Sequence, residues 1–97
     1  MGQDPYIKEN EAMGLCFSIP KTTKVPPSLK NVFKALVKDP KVKFTPPKPE
    51  HGDLSNWACQ GVFMLNAVLT VRAGKSDSHK DLGWLDFTKH VLNVINK

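Results

Sequence analysis

Two stretches of the chain carry hydrophobic residues at the spacing of an α-helix, and a third, shorter helix is predicted from the residues at its ends. The clearest is residues 28–39, in which lysines fill one face and the other face is hydrophobic, with Leu29, Val32, Phe33, Leu36 and Val37. Ser28 follows two prolines and is predicted to cap the start of this helix. The pair Asp39–Pro40 is predicted to end it, because proline cannot continue a helix.

Two further helices are predicted later in the chain. The first is short and covers 54–60, with Asp53 as its cap and Gly61 as the residue at which it stops. The second covers 83–96, and one of its faces is hydrophobic, with Trp84, Phe87, Val91, Val94 and Ile95.

Between these two helices lies a run of ten residues, 62–71, with a different pattern. Nine of the ten are apolar or threonine, and the exception is Asn66 in the middle. This pattern favours a strand buried on both faces, as in a parallel sheet, and such a strand needs neighbouring strands. The stretches 1–18 and 40–52 are rich in glycine, proline and polar residues and are predicted to be loops, and the proline- and lysine-rich stretch 19–27 is predicted to be an extended surface segment. The order of elements predicts an α/β fold.

The composition narrows the class of protein. The 97 residues make one domain at most, and the net charge of +5 favours an anionic partner, either nucleic acid or a membrane surface. No stretch reaches the about 18 apolar residues of a membrane span, and the chain does not open on a signal or transit pattern. Cys16 and Cys59 lie far apart without a C-x-x-C pair, which favours two reduced, partly buried thiols over a disulfide scaffold or a zinc site.

Six short motifs carry the more specific signal. In chain order they are GQDPY (2–6), GLCFS (14–18), PPSL (26–29), HGDLSNWACQGV (51–62), LNAVLTV (65–71) and SHKDLGWLDFT (78–88). Taken singly, their residues have ordinary structural explanations: Asp4 before a proline suits a turn, Phe17 suits a core, and Tyr6 suits a loop anchor. Asn66 is the least ordinary, because an amide within an apolar run needs hydrogen-bond partners.

Together, in this order and spacing, the six motifs resemble those of the family-1 uracil-DNA glycosylases over nearly the whole chain. The resemblance implies a partial three-layer fold of that type, in which 62–71 is the one core strand of a parallel sheet flanked by helices. It also implies base-excision DNA repair, in which the N-glycosidic bond of deoxyuridine is hydrolysed to release uracil and leave an abasic site. The deoxyuridine is flipped out of the DNA before its bond breaks. The resemblance implies no metal or other cofactor.

Individual residues take on roles through this resemblance. Asp4 would be the catalytic carboxylate, which orients water and stabilises the sugar cation. Gln3 would contact uracil largely through its backbone, Tyr6 would exclude the methyl group of thymine, and Phe17 would stack on the base. Asn66 would read the edge of uracil and reject cytosine.

A second group of residues would contact the DNA backbone. Pro26, Pro27 and Ser28 resemble the family's proline-rich loop, and Ser28 suits a phosphate donor as well as a helix cap. Four lysines would add attraction to phosphates, namely Lys21, Lys24, Lys30 and Lys34. A solvated helix face explains Lys30 and Lys34 equally well. Ser78 and His79 belong to a matching motif and receive a supporting role.

The expected partner is uracil-containing DNA, single- or double-stranded, and no membrane. The full domain is expected to be a monomer. The expected location is inside the cell, in the nucleus or mitochondrion for a eukaryotic protein and in the cytoplasm for a bacterial one.

The chain departs from the family pattern in several places. Ile7 stands where the family has a histidine after the GQDPY tyrosine. The sequence contains neither the family's His-Pro-Ser-Pro segment, whose histidine stabilises the uracil leaving group, nor the leucine loop after it, and no apolar strand precedes GQDPY. Residues 1–97 are therefore expected to form a single incomplete domain with little or no turnover by itself. The alternative is a non-catalytic remnant, which acts as a weak nucleic-acid-binding or interaction fragment.

Overall fold

The computed structural model describes residues 1–46 and 50–96, and this part of the chain contains three α-helices. They are α1 (Pro27–Lys38), α2 (Ser55–Cys59) and α3 (Trp84–Ile95). The helices predicted from the sequence are therefore confirmed, with each end displaced by one residue. The loop predicted at 40–52 contains neither helix nor strand in its described part, and its residues 47–49 lie outside the described residues.

The first helix begins with a proline rather than with the predicted serine cap. Pro26 is the N-cap, in extended conformation (φ −75°, ψ 160°), and its carbonyl accepts a hydrogen bond from the Lys30 N–H at 3.0 Å. Pro27 follows as the first helical residue, where its ring already has a helical φ and its missing N–H costs nothing. The prediction of Ser28 as the cap is wrong, because the prolines shift the start of α1 by one residue.

One hydrophobic core joins α1 and α2. Leu29 and Phe33, which are four residues apart on α1, are buried and pack with hydrophobic residues from the rest of the chain, namely Ile19, Val25 and Leu54. Beside this core, the rings of Phe33, Phe44 and Trp57 have centroids 5.6 to 6.2 Å apart in tilted and edge-to-face arrangements. These aromatic contacts hold α2 against α1.

A buried serine connects the loop before this core to the segment before α2. The Ser18 side chain is fully buried, and its hydroxyl oxygen accepts a hydrogen bond from the Leu54 N–H at 2.8 Å. The neighbouring Ile19 N–H donates to the Gly52 carbonyl at 2.9 Å. Buried backbone groups lose their water, and these hydrogen bonds offset that loss. They fix the loop that ends at Ser18 relative to α2.

Asp53 is not the N-cap of α2 that the sequence predicted. The N-cap of α2 is Leu54, and the Asp53 carboxylate instead accepts hydrogen bonds from the Ser55 hydroxyl at 2.6 Å and from the Ser55 N–H at 2.9 Å. Both bonds favour the charged carboxylate, so they hold the pKa of Asp53 below its usual range. Gly61 follows the end of α2 with a φ of +96°, a conformation that glycine adopts without strain, as the prediction of a stop required.

The prediction of a buried strand at 62–71 is wrong. Among residues 1–46 and 50–96 the structure contains no strand, and this segment forms one parallel bridge, between Asn66 and Gly2. Val62 and Phe63 are 50% and 60% exposed, whereas Val68 is buried. The helices of the predicted α/β fold are present, and in the described residues the parallel sheet is reduced to this bridge.

The limited pairing has a physical reason. The bridge rests on three backbone hydrogen bonds that involve Gly2 and Gln3, and the pairing does not extend to Asp4. The residue types of 62–71 suit a pleated and buried surface, but they do not supply the partner strands that a sheet requires.

The last helix packs on the segment 62–71 through polar contacts. Gly83 precedes α3 with a φ of +92°. The buried Thr88 hydroxyl donates to the Ala67 carbonyl at 2.9 Å, and the Trp84 indole N–H donates to the Thr70 hydroxyl at 2.8 Å. Part of the predicted hydrophobic face is exposed, namely Phe87, Val94 and Ile95.

The structure also bears on the predictions about membrane spans and about the two cysteines. Within the described part of the chain, no helix is both long enough and apolar enough to cross a membrane. Both cysteines are free; Cys16 is buried, and Cys59 is exposed rather than partly buried as predicted.

Replacement of Gly52 by alanine tests the packing between the core and the segment before α2. A Cβ atom at Gly52 would lie 2.6 Å from Ile19 Cγ1 and 2.7 Å from Leu29 Cδ2, both fully buried side chains. We expect Gly52→Ala to lower the free energy of unfolding by about 1–3 kcal/mol, the usual cost of overpacking a core. Urea unfolding measures this change.

Gly61→Ala is a comparison of a different kind, because a Cβ atom there meets nothing within 4 Å and only the positive φ opposes it. An unchanged free energy of unfolding for Gly52→Ala would contradict the described packing.

Candidate functional site

Backbone hydrogen bonds hold the start of the chain against a later segment. The Gly2 N–H donates to the Leu65 carbonyl at 3.0 Å, and the Ala67 N–H donates to the Gly2 carbonyl at 2.9 Å. The Val68 N–H donates to the Gln3 carbonyl, also at 2.9 Å. The residues that follow Gln3 therefore leave the pairing from a fixed position.

Asp4 is the next residue, and a distant loop fixes its carboxylate. Asp4 is half-buried, and its Oδ2 atom accepts a hydrogen bond from the Asp77 backbone N–H at 2.8 Å. The Asp77 carboxylate in turn accepts a hydrogen bond from the Gln3 side-chain amide. Asp77 has a φ of +61°, which is uncommon for a residue other than glycine but tolerated by aspartate. One residue of this loop thus orients both Gln3 and Asp4.

Tyr6 is held by two polar partners. Its hydroxyl donates to the Phe17 carbonyl at 2.6 Å and lies 3.2 Å from the Ser28 hydroxyl oxygen. Phe17 has a φ of +65°, so its backbone is strained at the residue whose carbonyl meets Tyr6. Burial of the Tyr6 ring raises the pKa of the phenol above its usual value of 10.0, and the hydrogen bond from Ser28 opposes part of this rise.

Asn66 differs from its sequence-based description. It is half-buried rather than enclosed in a strand, and it lies directly beside Gly2 in the parallel bridge. Among the described residues no buried side-chain nitrogen or oxygen lacks a hydrogen-bond partner, so the amide is not a buried group without a partner.

One cleft of about 900 Å³ brings most of the predicted site residues together. Among the residues that line it are Gln3, Asp4, Tyr6, Phe17, Ser28 and Asn66. Its apolar walls include Met64, Leu65 and Leu69. The volume lies in the range of about 300–1,000 Å³ that is typical of small-molecule sites.

The remaining predicted residues lie at the border of this cleft. Pro26 is half-buried and Pro27 is exposed at the start of α1, next to Ser28, and neither lines the cleft. Ile7, which stands in place of the family's histidine, does line it, and its carbonyl accepts a hydrogen bond from the Gly74 N–H at 2.8 Å.

The sequence analysis missed the role of two residues. Asp77 contacts Gln3 and Asp4 across more than 70 positions of sequence, and nothing in the local pattern around it predicts such a contact. Thr70 accepts the Trp84 indole N–H at 2.8 Å and lies 2.9 Å from His79 Nδ1. His79 therefore contacts a residue of the cleft wall, and its supporting role stays a prediction.

Within residues 1–46 and 50–96, no three His, Cys, Asp or Glu side chains come together in a way that could hold a metal ion.

Comparison with known proteins identifies the family. A model of the uracil DNA glycosylase superfamily matches residues 1–96. The chain belongs to the uracil DNA glycosylase superfamily. This membership confirms the resemblance carried by the six motifs, together with the α/β class of the fold.

Curated relatives of this glycosylase-family chain come from several bacteria. Proteins named uracil-DNA glycosylase from Borreliella burgdorferi (strain ZS7) and Borrelia turicatae (strain 91E135) are 50% and 48% identical to it over 97 residues, 100% of this chain. A protein of the same name from Buchnera aphidicola subsp. Acyrthosiphon pisum (strain Tuc7) is 51% identical over 96 residues, 99% of this chain. The chain spans 42% of the length of each of these relatives.

The ionisation of Tyr6 tests the closed environment on this side of the cleft. Tyr6 is the one tyrosine of the chain, so absorbance reports its ionisation directly. We expect a midpoint above 10.0, because burial disfavours the phenolate. Ser28→Ala should raise it further, because it removes a hydrogen bond that favours the phenolate. Because the pKa of Tyr6 is higher in the folded than in the unfolded chain, the protonated phenol stabilises the fold at pH values below the unfolded pKa. This contribution is lost as the pH rises through the folded pKa.

Ser55→Ala is the control for that measurement, because the Ser55 hydroxyl bonds to Asp53 rather than to Tyr6. A Tyr6 midpoint at or below 10.0 in the folded chain would be inconsistent with the described burial.

The contact of Asp77 with Gln3 gives a second test. Asp77→Ala removes the acceptor of the Gln3 amide, so we expect the NMR signals of that amide to shift and its hydrogen exchange to accelerate. Asp77→Asn keeps a carbonyl oxygen and tolerates the positive φ, so the Gln3 signals should change less. The loss of stability should be larger for Asp77→Ala than for Asp77→Asn, because alanine removes the acceptor and also adopts the positive φ less readily.

Asp81→Ala provides the comparison, since Asp81 is an exposed acidic residue of the same loop. Equal effects of Asp77→Ala and Asp81→Ala on the Gln3 amide would refute the assignment of Asp77.

Proposed function

We propose that this protein hydrolyses the N-glycosidic bond of deoxyuridine in DNA, which releases uracil and leaves an abasic site for base-excision repair. The observation that carries the proposal is the cleft: in a chain of the uracil DNA glycosylase superfamily, five side chains of suitable chemistry line one cavity of about 900 Å³. They are Gln3, Asp4, Tyr6, Phe17 and Asn66. A base inside a duplex cannot reach such a cavity, so the deoxyuridine has to be flipped out of the helix first, at a cost of a few kcal/mol.

Asp4 is the proposed catalytic residue. As the glycosidic bond breaks, positive charge develops on the sugar, and a nearby carboxylate stabilises that charge. The electron pair of the broken bond leaves with N1 of uracil. The same carboxylate accepts a hydrogen bond from water, turns its oxygen toward the sugar carbon and takes up the proton that the water loses as the new C–O bond forms, and this proton then passes to the uracil anion. The hydrogen bond from the Asp77 N–H, 2.8 Å from Oδ2, limits the directions in which the carboxylate can point and leaves Oδ1 for the water. Such a group contributes a factor of about 10²–10⁴ to the rate.

Tyr6 and Phe17 are proposed to select the size and shape of the base. Because the Tyr6 hydroxyl is bonded to the Phe17 carbonyl and lies beside Ser28, the Tyr6 ring cannot easily swing aside. A fixed ring beside C5 of uracil leaves no room for the methyl group of thymine. Phe17 offers a flat face on which the base stacks, which is worth about 1–3 kcal/mol.

Asn66 is proposed to distinguish uracil from cytosine. Its carboxamide oxygen accepts from N3–H of uracil, and its NH₂ group donates to O4. Cytosine presents an acceptor at N3 and a donor at N4, so both hydrogen bonds would fail and leave polar groups unpaired. Gln3 contributes a further contact to the base, and its backbone is already fixed by the bond from Val68.

The start of α1 is proposed to contact the DNA backbone. Pro26 and Pro27 present a rigid surface beside the cleft, and Ser28 provides a hydroxyl at its edge. The helix N-terminus adds partial positive charge. Lys30 and Lys34 follow on α1, and in a chain with a net charge of +5 they favour a phosphate backbone and make binding sensitive to salt.

The alternative function is non-catalytic, in which this chain binds nucleic acid or another molecule without turnover. The exposed hydrophobic residues support this alternative because they offer surface for a further contact; they include Phe63, Leu85 and Phe87. The two functions differ in one respect that an assay can measure, which is whether Asp4 changes the amount of uracil released.

Uracil release under single-turnover conditions tests the proposal. Purified chain is incubated in excess over a single-stranded oligonucleotide with one deoxyuridine, and strand scission at abasic sites is measured. Because the sequence predicts weak turnover for these 97 residues alone, we expect slow release. Asp4→Asn keeps the shape of the side chain but removes its charge, and should slow release further by about 10²–10⁴-fold.

Binding to the same oligonucleotide is measured in parallel, with deoxycytidine and thymidine in place of deoxyuridine as controls. Preference for deoxyuridine without release would favour the non-catalytic alternative. Equal binding of all three together with no release from the folded chain would rule out the proposed function for these residues.

A further inference from the structure

We propose that Gly2 is a positioning residue for the Asn66 carboxamide, and that it thereby sets the selectivity between uracil and cytosine. The positioning is argued from the geometry of this chain alone. The effect on base selectivity rests on the function proposed above.

Two hydrogen bonds place Gly2 directly beside Asn66. Its N–H donates to the carbonyl of the residue before Asn66, Leu65, at 3.0 Å. Its carbonyl accepts from the N–H of the residue after Asn66, Ala67, at 2.9 Å. Because the two bonds lie on either side of Asn66, the backbones of Gly2 and Asn66 cannot move apart without breaking at least one of them.

The space beside Gly2 is occupied by the Asn66 side chain. A Cβ atom added at Gly2 would overlap with Asn66 Oδ1 and would lie 2.9 Å from Cys16 Cβ. Cys16 is buried, and its N–H donates to the Met64 carbonyl at 3.2 Å, so it cannot easily give way. The Asn66 carboxamide is the group that would have to turn.

This requirement for glycine is one of space and not of backbone conformation. The other glycines of the chain, except Gly52, have a positive φ and meet nothing within 4 Å at the position of a Cβ atom. Gly2 shows the opposite combination, with no positive φ and a close neighbour that belongs to the proposed base-reading residue. A larger residue at position 2 therefore meets the Asn66 side chain first and Cys16 Cβ second.

The consequence for recognition follows from the direction of the carboxamide. Reading uracil requires the oxygen and the NH₂ group of Asn66 to face N3 and O4 at the same time. Rotation of the carboxamide breaks this two-point match and removes the advantage of uracil over cytosine. Gly2 thus determines selectivity without touching the base.

NMR and a double-mutant cycle test the positioning in the full 97-residue chain. The variants are Gly2→Ala, Asn66→Ala and the two combined, and Gly52→Ala is the control for a steric clash elsewhere. We expect the side-chain NH₂ signals of Asn66 to shift in Gly2→Ala and to stay unchanged in Gly52→Ala. We also expect Gly2→Ala to lower the urea midpoint by less in the Asn66→Ala background than in the original chain, because the overlap with Oδ1 is gone.

Unchanged Asn66 signals in Gly2→Ala would overturn the proposal. So would an equal loss of midpoint in both backgrounds, which would place the obstruction at Cys16. If Gly2→Ala abolishes folding, the double variant decides: return of a cooperative transition supports the proposal, and its continued absence overturns it.

Binding of oligonucleotides with one deoxyuridine or one deoxycytidine tests the selectivity. We expect Gly2→Ala to reduce the deoxyuridine preference at least tenfold and Gly52→Ala to leave it unchanged. A shifted Asn66 amide with an unchanged preference would overturn the role in selectivity. An original chain with no preference would overturn the proposed function instead, and the NMR and midpoint results would still decide the positioning.

Discussion

The short parallel pairing between residues 2–3 and 65–68 is the interaction on which the candidate site depends. Gly2 and Gln3 make three backbone hydrogen bonds to the later segment, and this fixes where the following turn begins. Asp4 then meets the Asp77 N–H, and Asn66 lies beside Gly2. Parts of the chain that are distant in sequence thus form one cleft wall. The pairing ends at Gln3, so the turn with Asp4 leaves the bridge at this point.

A second constraint fixes the part of the cleft that Phe17 lines. The buried Ser18 hydroxyl and the Ile19 N–H bind the segment that ends at Leu54. Phe17 immediately precedes this anchor and carries a strained φ of +65°. Its carbonyl accepts the Tyr6 hydroxyl, so the strain is maintained by bonds on both sides of the residue. The core therefore positions the aromatic side of the site, while the parallel bridge positions its polar side.

The helices and the motifs were predictable because their signals are local. Hydrophobic positions of α1 recur with the helical period, and Leu29 and Phe33 are indeed buried. Most of the predicted site residues line one cleft. They could be predicted because the six motifs occur in the order and spacing of a known family. Their chemical roles stay predictions. The strand at 62–71 was not predictable in the same way, because a sheet depends on partners that a local pattern cannot supply.

The three helices and the residue types of the site could be predicted from the sequence because each is encoded within a few neighbouring positions, and the family could be predicted from the order and spacing of the six motifs. Only the tertiary structure decided that Asp77 orients Gln3 and Asp4, that Ser28 meets Tyr6 instead of capping α1, and that Gly2 lies beside the Asn66 amide. These contacts join residues from 22 to more than 70 positions apart. They depend on steric fit and hydrogen-bond geometry after the chain has folded, and a one-dimensional pattern of residue types contains neither.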